Sequence, residues 1–144
     1  MPMEIKLLRH GDQGILTRVL ADVFDNPIDK RLTEEFLSDP RHHLAVAIDD
    51  AHVVGFASAV HYVHPDKQPE LWINEVSVAP SYRARGIGKA LLSELLDAGR
   101  KLGCVEAWVL TDRSNVPAMR LYSSLTSWPP SDHTMFSFPL DAAS

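Results

Sequence analysis

A chain of 144 residues has the length of one domain, and with 45% hydrophobic and 23% charged residues it has the balance of a globular protein rather than a disordered or fibrous one. The formal charge of -5 argues against nucleic acid as a partner, because an acidic surface repels phosphates, and it agrees with a cationic substrate. Apolar runs fall far short of the roughly 18–20 residues that cross a bilayer, and Met1-Pro2-Met3-Glu4-Ile5-Lys6 has no secretory pattern, so no membrane association and a cytoplasmic location are expected. Cys104 is the lone cysteine, which leaves no internal disulfide and no cysteine-based zinc cluster. It reads as a small buried hydrophobe.

The predicted elements begin with a strand over residues 4–8, which alternates apolar and polar side chains. Ile15, Leu16, Val19, Leu20, Val23 and Phe24 have helical spacing and predict a helix over 12–24. Asn26-Pro27 breaks it, and Asp29 caps a second helix that carries Leu32, Phe36 and Leu37 as far as Asp39-Pro40. Strands over 44–48 and 53–63 form a hairpin turning at Asp49-Asp50, with Gly55 inside the second strand. The loop His64 to Pro69 leads to a strand over 71–78, which Ala79-Pro80 ends. Ile87, Leu91, Leu92, Leu95, Ala98 and Leu102 mark one face of a helix stopped by Gly103. A strand over 105–110, a short helix over 116–123 with Pro117 in its first turn, and a last strand over 135–140 complete the chain. The order β-α-α-β-β-β-α-β-α-β describes a single α/β domain, residues 1–144, with a mixed, mostly antiparallel sheet flanked by helices.

Between the strand ending at Val78 and the helix opening at Gly86, the turn Arg83-Ala84-Arg85-Gly86-Ile87-Gly88 gathers unpaired backbone N–H groups at the positive end of a helix. Glycine lets the main chain approach an anion, and two arginines supply charge-assisted hydrogen bonds. The alternative is an ordinary glycine-containing turn with solvated arginines. A Walker loop does not fit, since Ala90 follows Lys89 and the first glycine is missing; a dinucleotide fingerprint lacks its third glycine.

With Val-Ser-Val-Ala-Pro before it, the Arg83-x-x-Gly86-x-Gly88 turn resembles the acetyl-CoA motif of the GNAT acetyltransferase superfamily, and Asn115-x-x-Ala118-x-x-Leu121-Tyr122 resembles its second shared motif. The resemblance covers nearly the whole chain and implies that acetyl-CoA is the cofactor. By it, the backbone of Val76, Ser77 and Val78 pairs with the pantetheine arm, the segment Arg83, Ala84, Arg85, Gly86, Ile87, Gly88 and Lys89 takes the pyrophosphate, and Tyr122 lies against the cofactor, while Asn115 caps the helix over 116–123 or hydrogen-bonds the cofactor arm, two compatible uses. It also implies that many such chains pair as homodimers. One departure is visible: Thr126-Ser127-Trp128 stands where the family usually has Gly-Phe.

Acetyl transfer to an amine requires a base, a polarised thioester carbonyl and an acid for the departing thiolate. The resemblance places Glu75 as the base and Tyr122 as the acid. A salt-bridged or half-exposed strand residue and a core aromatic are the structural alternatives. The seven histidines show no metal-binding spacing, so no metal is expected. The segments expected to choose the acceptor, residues 22–37, 64–69 and 128–133, are rich in carboxylates. Residues 68–78 and the C-terminal segment are similar to the aminoglycoside 3-N-acetyltransferases of the superfamily. That similarity implies a polycationic aminoglycoside as acceptor, with Glu75, Asp112 and Asp132 near its amines. A polyamine, another small amine or a protein amine is the enzyme alternative, and a non-catalytic acetyl-CoA-binding module is the other.

Overall fold

The structure is a computed structural model that describes residues 3–125 and 128–141. Five strands form one sheet in chain order: β1 (Glu4–Leu7), β2 (His42–Asp49), β3 (His52–Tyr62), β4 (Glu70–Val78) and β5 (Ala107–Val109). The first three pairings are antiparallel, and only β4 with β5 is parallel. A parallel pair needs a long connection, and α2 (Ile87–Lys101) supplies it.

Alternation along the strands makes two cores, one on each face of the sheet. Ala45, Ala47, Ala57, Ala59, Leu71 and Ile73 meet Ile87, Leu91, Leu92 and Leu95 of α2. Alanines on that face bring the helix close to the backbone. The opposite face carries Leu44, Val46, Val53 and Phe56, covered by Leu16, Val23 and Phe24 from the N-terminal segment. The Phe24 ring stacks on Phe56 with centroids 4.0 Å apart. Helix α1 (Lys30–Ser38) begins at Asp29, whose Oδ1 accepts from Leu32 N at 2.8 Å. Helix α2 ends in a left-handed Gly103, with Cys104 N donating to Gly99 O at 3.0 Å and Gly103 N to Arg100 O at 3.1 Å. That pair of bonds is a Schellman stop.

Three expectations need correction. The helix expected over 12–24 is a 3-10 helix over Gln13–Thr17, then a single bridge at Val19 and turns over 21–26. Leu20 N donates to Val53 O and Val53 N to Arg18 O, so residues 18–20 bridge to the edge of β3 instead of continuing a helix. The strand expected over 135–140 is not formed: Met135, Phe136, Phe138 and Leu140 are exposed and have no ladder partner among the described residues. Pro139 cannot donate to a ladder, and β5, the neighbouring edge, is three residues long. The hairpin turns at Asp50-Ala51, both with positive φ (49° and 63°), one residue later than expected. Among the described residues no helix is long and apolar enough to cross a membrane.

Candidate active site

The parallel pairing of β4 with β5 covers only Leu71 to Ile73 against Ala107 to Val109. On its other side β4 follows β3, but with an irregularity: Ala59 pairs with Ile73 and Ser58 with Glu75, so Asn74 is an extra residue. A bulge bends its strand and re-aims the side chains beyond it. Past Asn74, β4 has β3 on one side and no ladder partner on the other among the described residues. The backbone of Val76, Ser77 and Val78 therefore presents an open edge. Such an edge accepts an extended ligand as an added strand.

The bulge also sets which side chains face which way. Val76 and Val78 pack toward α2, while Glu75, paired with Ser58, shares the face of Phe56. Glu75 is exposed. Partial desolvation, and then the Asp25 carboxylate, push its pKa above the usual carboxylate value. Asp25 belongs to the carboxylate-rich segment 22–37, and nothing in the sequence pattern says that its charge reaches residue 75.

Immediately after β4 comes the basic turn. Pro80–Tyr82 form a 3-10 turn, Ala84 and Gly86 both have positive φ (61° and 80°), and Gly86 precedes α2 as its N-cap. No side chain caps this helix end and no acid lies in its first turn. The first amide of α2 to find a helical partner is that of Ala90, bonded to Gly86 O at 3.1 Å. A Cβ built on Gly86 would meet nothing within 4 Å. The turn is thus open, positive and lined with unpaired amides, which fits an anionic pyrophosphate.

The two arginines partly brace the turn itself. Arg83 Nε donates to Val78 O at 3.1 Å, and Arg85 Nη2 donates to Ser81 O at 3.0 Å. The Arg85 guanidinium lies 4.9 Å from the centroid of the Tyr82 ring, and Tyr82 Oη donates to Asp49 Oδ2 at 2.7 Å. Each guanidinium has five N–H donors, so donors remain for a ligand. Tyr82 and Asp49 were missed by sequence reasoning because their link crosses from the hairpin to the turn.

Gly88 differs from the expectation that it clears space for an anion. A Cβ there would lie 3.2 Å from Leu121 Cδ2, so its bareness admits α3 (Val116–Ser123) against α2. Asn115 caps α3, its Oδ1 accepting from Ala118 N at 3.1 Å. Tyr122 follows Leu121, half-buried against the α2-side core, and burial raises its pKa, which keeps the phenol protonated. Asp112 is exposed, and its carbonyl accepts from Asn115 N at 3.0 Å. Asp132 is ion-paired with Arg113 on the exposed C-terminal segment. Thr126 and Ser127, where the sequence departs from the family, lie outside the described residues. Among the described residues no group of acids, histidines or cysteines is arranged to hold a metal.

A cavity of about 780 Å³ lies on the N-terminal side, lined by Leu16, Val19, Asp22, Phe24, Asp25 and Lys30 among others. It does not include the basic turn. Its lining includes Asp25, whose charge acts on Glu75.

The model of the Acetyltransferase (GNAT) family matches residues 14–125. N-alpha-acetyltransferase RimI of Mycobacterium tuberculosis is 32% identical over 126 residues, covering 86% of this chain and 77% of the relative. An uncharacterized N-acetyltransferase of Mycobacterium bovis is 26% identical over 104 residues, 72% of this chain, and the match spans only 64% of that relative's length. Among solved structures, an aminoglycoside acetyltransferase from an uncultured soil metagenomic sample superposes with a TM-score of 0.83 at 20% identity, over 96% of this chain and 97% of the other. An aminoglycoside N-acetyltransferase solved with CoA gives 0.77 at 22% identity, over 96% and 95%. At such identities the structural likeness speaks for the fold.

Proposed function

Because this chain belongs to the GNAT acetyltransferase family, we propose that it is an N-acetyltransferase that moves the acetyl group of acetyl-CoA directly to a primary amine. The observation that carries the reading is the opening of β4 away from β5 at Asn74, directly followed by an uncapped, basic helix N-terminus. Acetyl-CoA, when bound, supplies the activated acyl carbon as a thioester. The amides of Gly86 to Lys89 and the free donors of Arg83 and Arg85 hold its pyrophosphate, and the edge of Val76 to Val78 aligns its extended arm.

Glu75 takes the proton of the acceptor ammonium on a carboxylate oxygen. Its pKa is raised, by desolvation and then by Asp25, which makes it a stronger base than an ordinary glutamate. Tyr122 holds a proton on its hydroxyl for the departing sulfur, and its raised pKa keeps that proton in place. Asn115 acts by capping α3 and so fixing Tyr122.

The acceptor is a polycationic aminoglycoside, acetylated at its 3-amino group. Support for an aminoglycoside comes from the acids Asp22 and Asp25 in the cavity on the Glu75 side, from the net charge of -5, and from the names of the structural neighbours; the 3-amino position rests on the sequence similarity alone, since the CoA-bound neighbour is named for the 6' position. Asp112 offers a further carboxylate, whereas Asp132 has Arg113 as its partner. A protein N-terminal amine is the second reading, favoured by the 32% identity to RimI. A thiol-release assay with acetyl-CoA against aminoglycosides, polyamines and N-terminal peptides tests both. Turnover of aminoglycosides above the others supports the first reading; turnover of peptides alone supports the second. No thiol release with any of these acceptors, together with no binding of acetyl-CoA by calorimetry, would overturn the family chemistry for this chain.

A further inference from the structure

Three mutually stacked aromatic rings lie outside the two buried clusters: Tyr62 at the end of β3, Trp72 on β4 and Trp108 on β5. Trp72 and Trp108 are direct register partners, with ring centroids 5.0 Å apart and planes within 13°. Tyr62 lies 6.0 Å from Trp72 and 6.3 Å from Trp108, again nearly parallel. All three are half-buried, so each keeps part of its surface at the exterior.

The pairing places charges around these rings. Glu70 is the register partner of Tyr62, and Glu75 that of Ser58, so the bulge at Asn74 leaves Glu70, Trp72 and Glu75 on one face of β4. That face reads carboxylate, indole, carboxylate over a span of roughly 15 Å at about 3.3 Å per residue. At the Glu70 end, the buried Nε2 of His64 has no hydrogen-bond partner among the described residues; it lies 3.4 Å from Glu70 Oε2 in a geometry that makes no hydrogen bond. A buried polar atom without a partner is uncommon enough to call for an explanation.

A ligand that fits this face needs a flat, weakly polar surface to lie on the rings and cationic groups at its edges. An amino-sugar ring has both: C–H bonds on its faces and ammonium groups at its rim, which aromatic faces and carboxylates attract. A fully extended polyamine offers the cations without the ring face. We propose that Tyr62, Trp72 and Trp108 form a platform on which a second amino-sugar ring of the acceptor rests, with Glu70 at its far ammonium, while the reacting amine lies at Glu75. The proposal rests on the aminoglycoside reading above and deepens it by naming the residues that select the acceptor.

The test uses sisomicin as probe and spermidine as the ringless comparison. In a Trp128→Phe background, Trp72 and Trp108 are the remaining tryptophans of the three, and saturating sisomicin is expected to change their emission whereas spermidine leaves it within error. Trp108→Ala is expected to raise KM for sisomicin at least fivefold and leave KM for acetyl-CoA within twofold, and Trp108→Phe to recover most of the loss. Tyr62→Leu, which keeps both indoles, should give a smaller rise in the same direction and serves if Trp108→Ala does not fold. If the wild-type chain acetylates sisomicin and both variants fold with unchanged KM for it, the platform is packing alone and the proposal fails while the aminoglycoside reading stands. If the wild-type chain acetylates peptides and no aminoglycoside, the reading fails and the proposal with it.

Discussion

Gly88 and Leu121 are so close that a Cβ on the glycine would lie 3.2 Å from Leu121 Cδ2 and 3.9 Å from Val76 Cγ1. The contact joins three parts of the candidate site: the open edge of β4, the first turn of α2 and the helix that carries Tyr122. Gly88→Val should therefore push α3 away, with a loss of about 1–3 kcal/mol in urea unfolding from overpacking. Gly88→Ala should lose less, because Leu121 has only a few tenths of an ångström to yield. Equal stability of Gly88→Val and the parent would show that α3 does not need this approach.

Gly86 separates the packing role from the binding role. A Cβ there would enter open space, so the cost of a side chain is the strain of the positive φ of 80°, roughly 1–2 kcal/mol and less for aspartate than for most residues. Gly86→Asp should still fold, at no more than that cost, yet lose acetyl-CoA binding, since it puts a carboxylate among the amides proposed to hold the pyrophosphate. Calorimetry on the folded variant decides the matter: parental affinity would remove the turn from the cofactor site.

Much of this was legible because strands and long helices announce themselves by period. The faces of α2, its Gly103 stop and the caps Asp29 and Asn115 all follow from local chemistry. Residues 12–24 misled because their apolar spacing does mark buried positions, Leu16 and Val23 among them, but the chain reaches those positions by bridging Val19 to Val53, a long-range pairing that spacing does not encode. Alternation over 135–140 misled in the opposite way: it describes a strand that finds no edge. At the site, Arg83, Gly86 and Glu75 stood out as residues, whereas the bulge that turns Glu75 away from α2 and the proximity of Asp25 exist only once β3 and the N-terminal segment are in place.

The pH profile should carry that proximity. A base works when deprotonated, so kcat/KM falls as pH drops through the pKa of Glu75, which burial and then Asp25 hold above the ordinary value. Asp25→Asn removes the like charge and should move the acidic limb to lower pH. Glu75→Gln should lower activity at least tenfold and leave only the limb set by the acceptor amine itself. An acidic limb that stays put in Asp25→Asn would mean that burial alone sets the shift.

The β2–β3 hairpin offers a stabilising change remote from the chemistry. Asp50 and Ala51 both have positive φ in a two-residue turn, and alanine at 63° is strained by its Cβ. Ala51→Gly should raise stability by about 0.5–1 kcal/mol, the relief of strain outweighing the extra freedom glycine gives the unfolded chain. A higher urea midpoint with unchanged slope is the expected result, and a lower midpoint would mean that the turn tolerates alanine.

Stability in mild acid should depend on a histidine pair away from the site. His43 Nε2 lies 2.8 Å from His61 Nδ1, with the rings 5.1 Å apart. Burial first, then the neighbouring His61 and His42, lower the pKa of His43 to about 4, against a weaker opposing pull from Asp39. The pKa of His61 is lowered too, by burial and then by Arg41. A histidine with a depressed folded pKa binds its proton more readily in the unfolded chain. Its contribution is therefore present above about 6.5 and is lost as pH falls toward about 4. For a half-exposed ring, screening reduces that loss to on the order of 1–2 kcal/mol. His43→Gln should flatten the fall of the urea midpoint between pH 6.5 and 4, and a variant that loses stability over that range as steeply as the parent would place the acid sensitivity elsewhere, in the carboxylates rather than this pair.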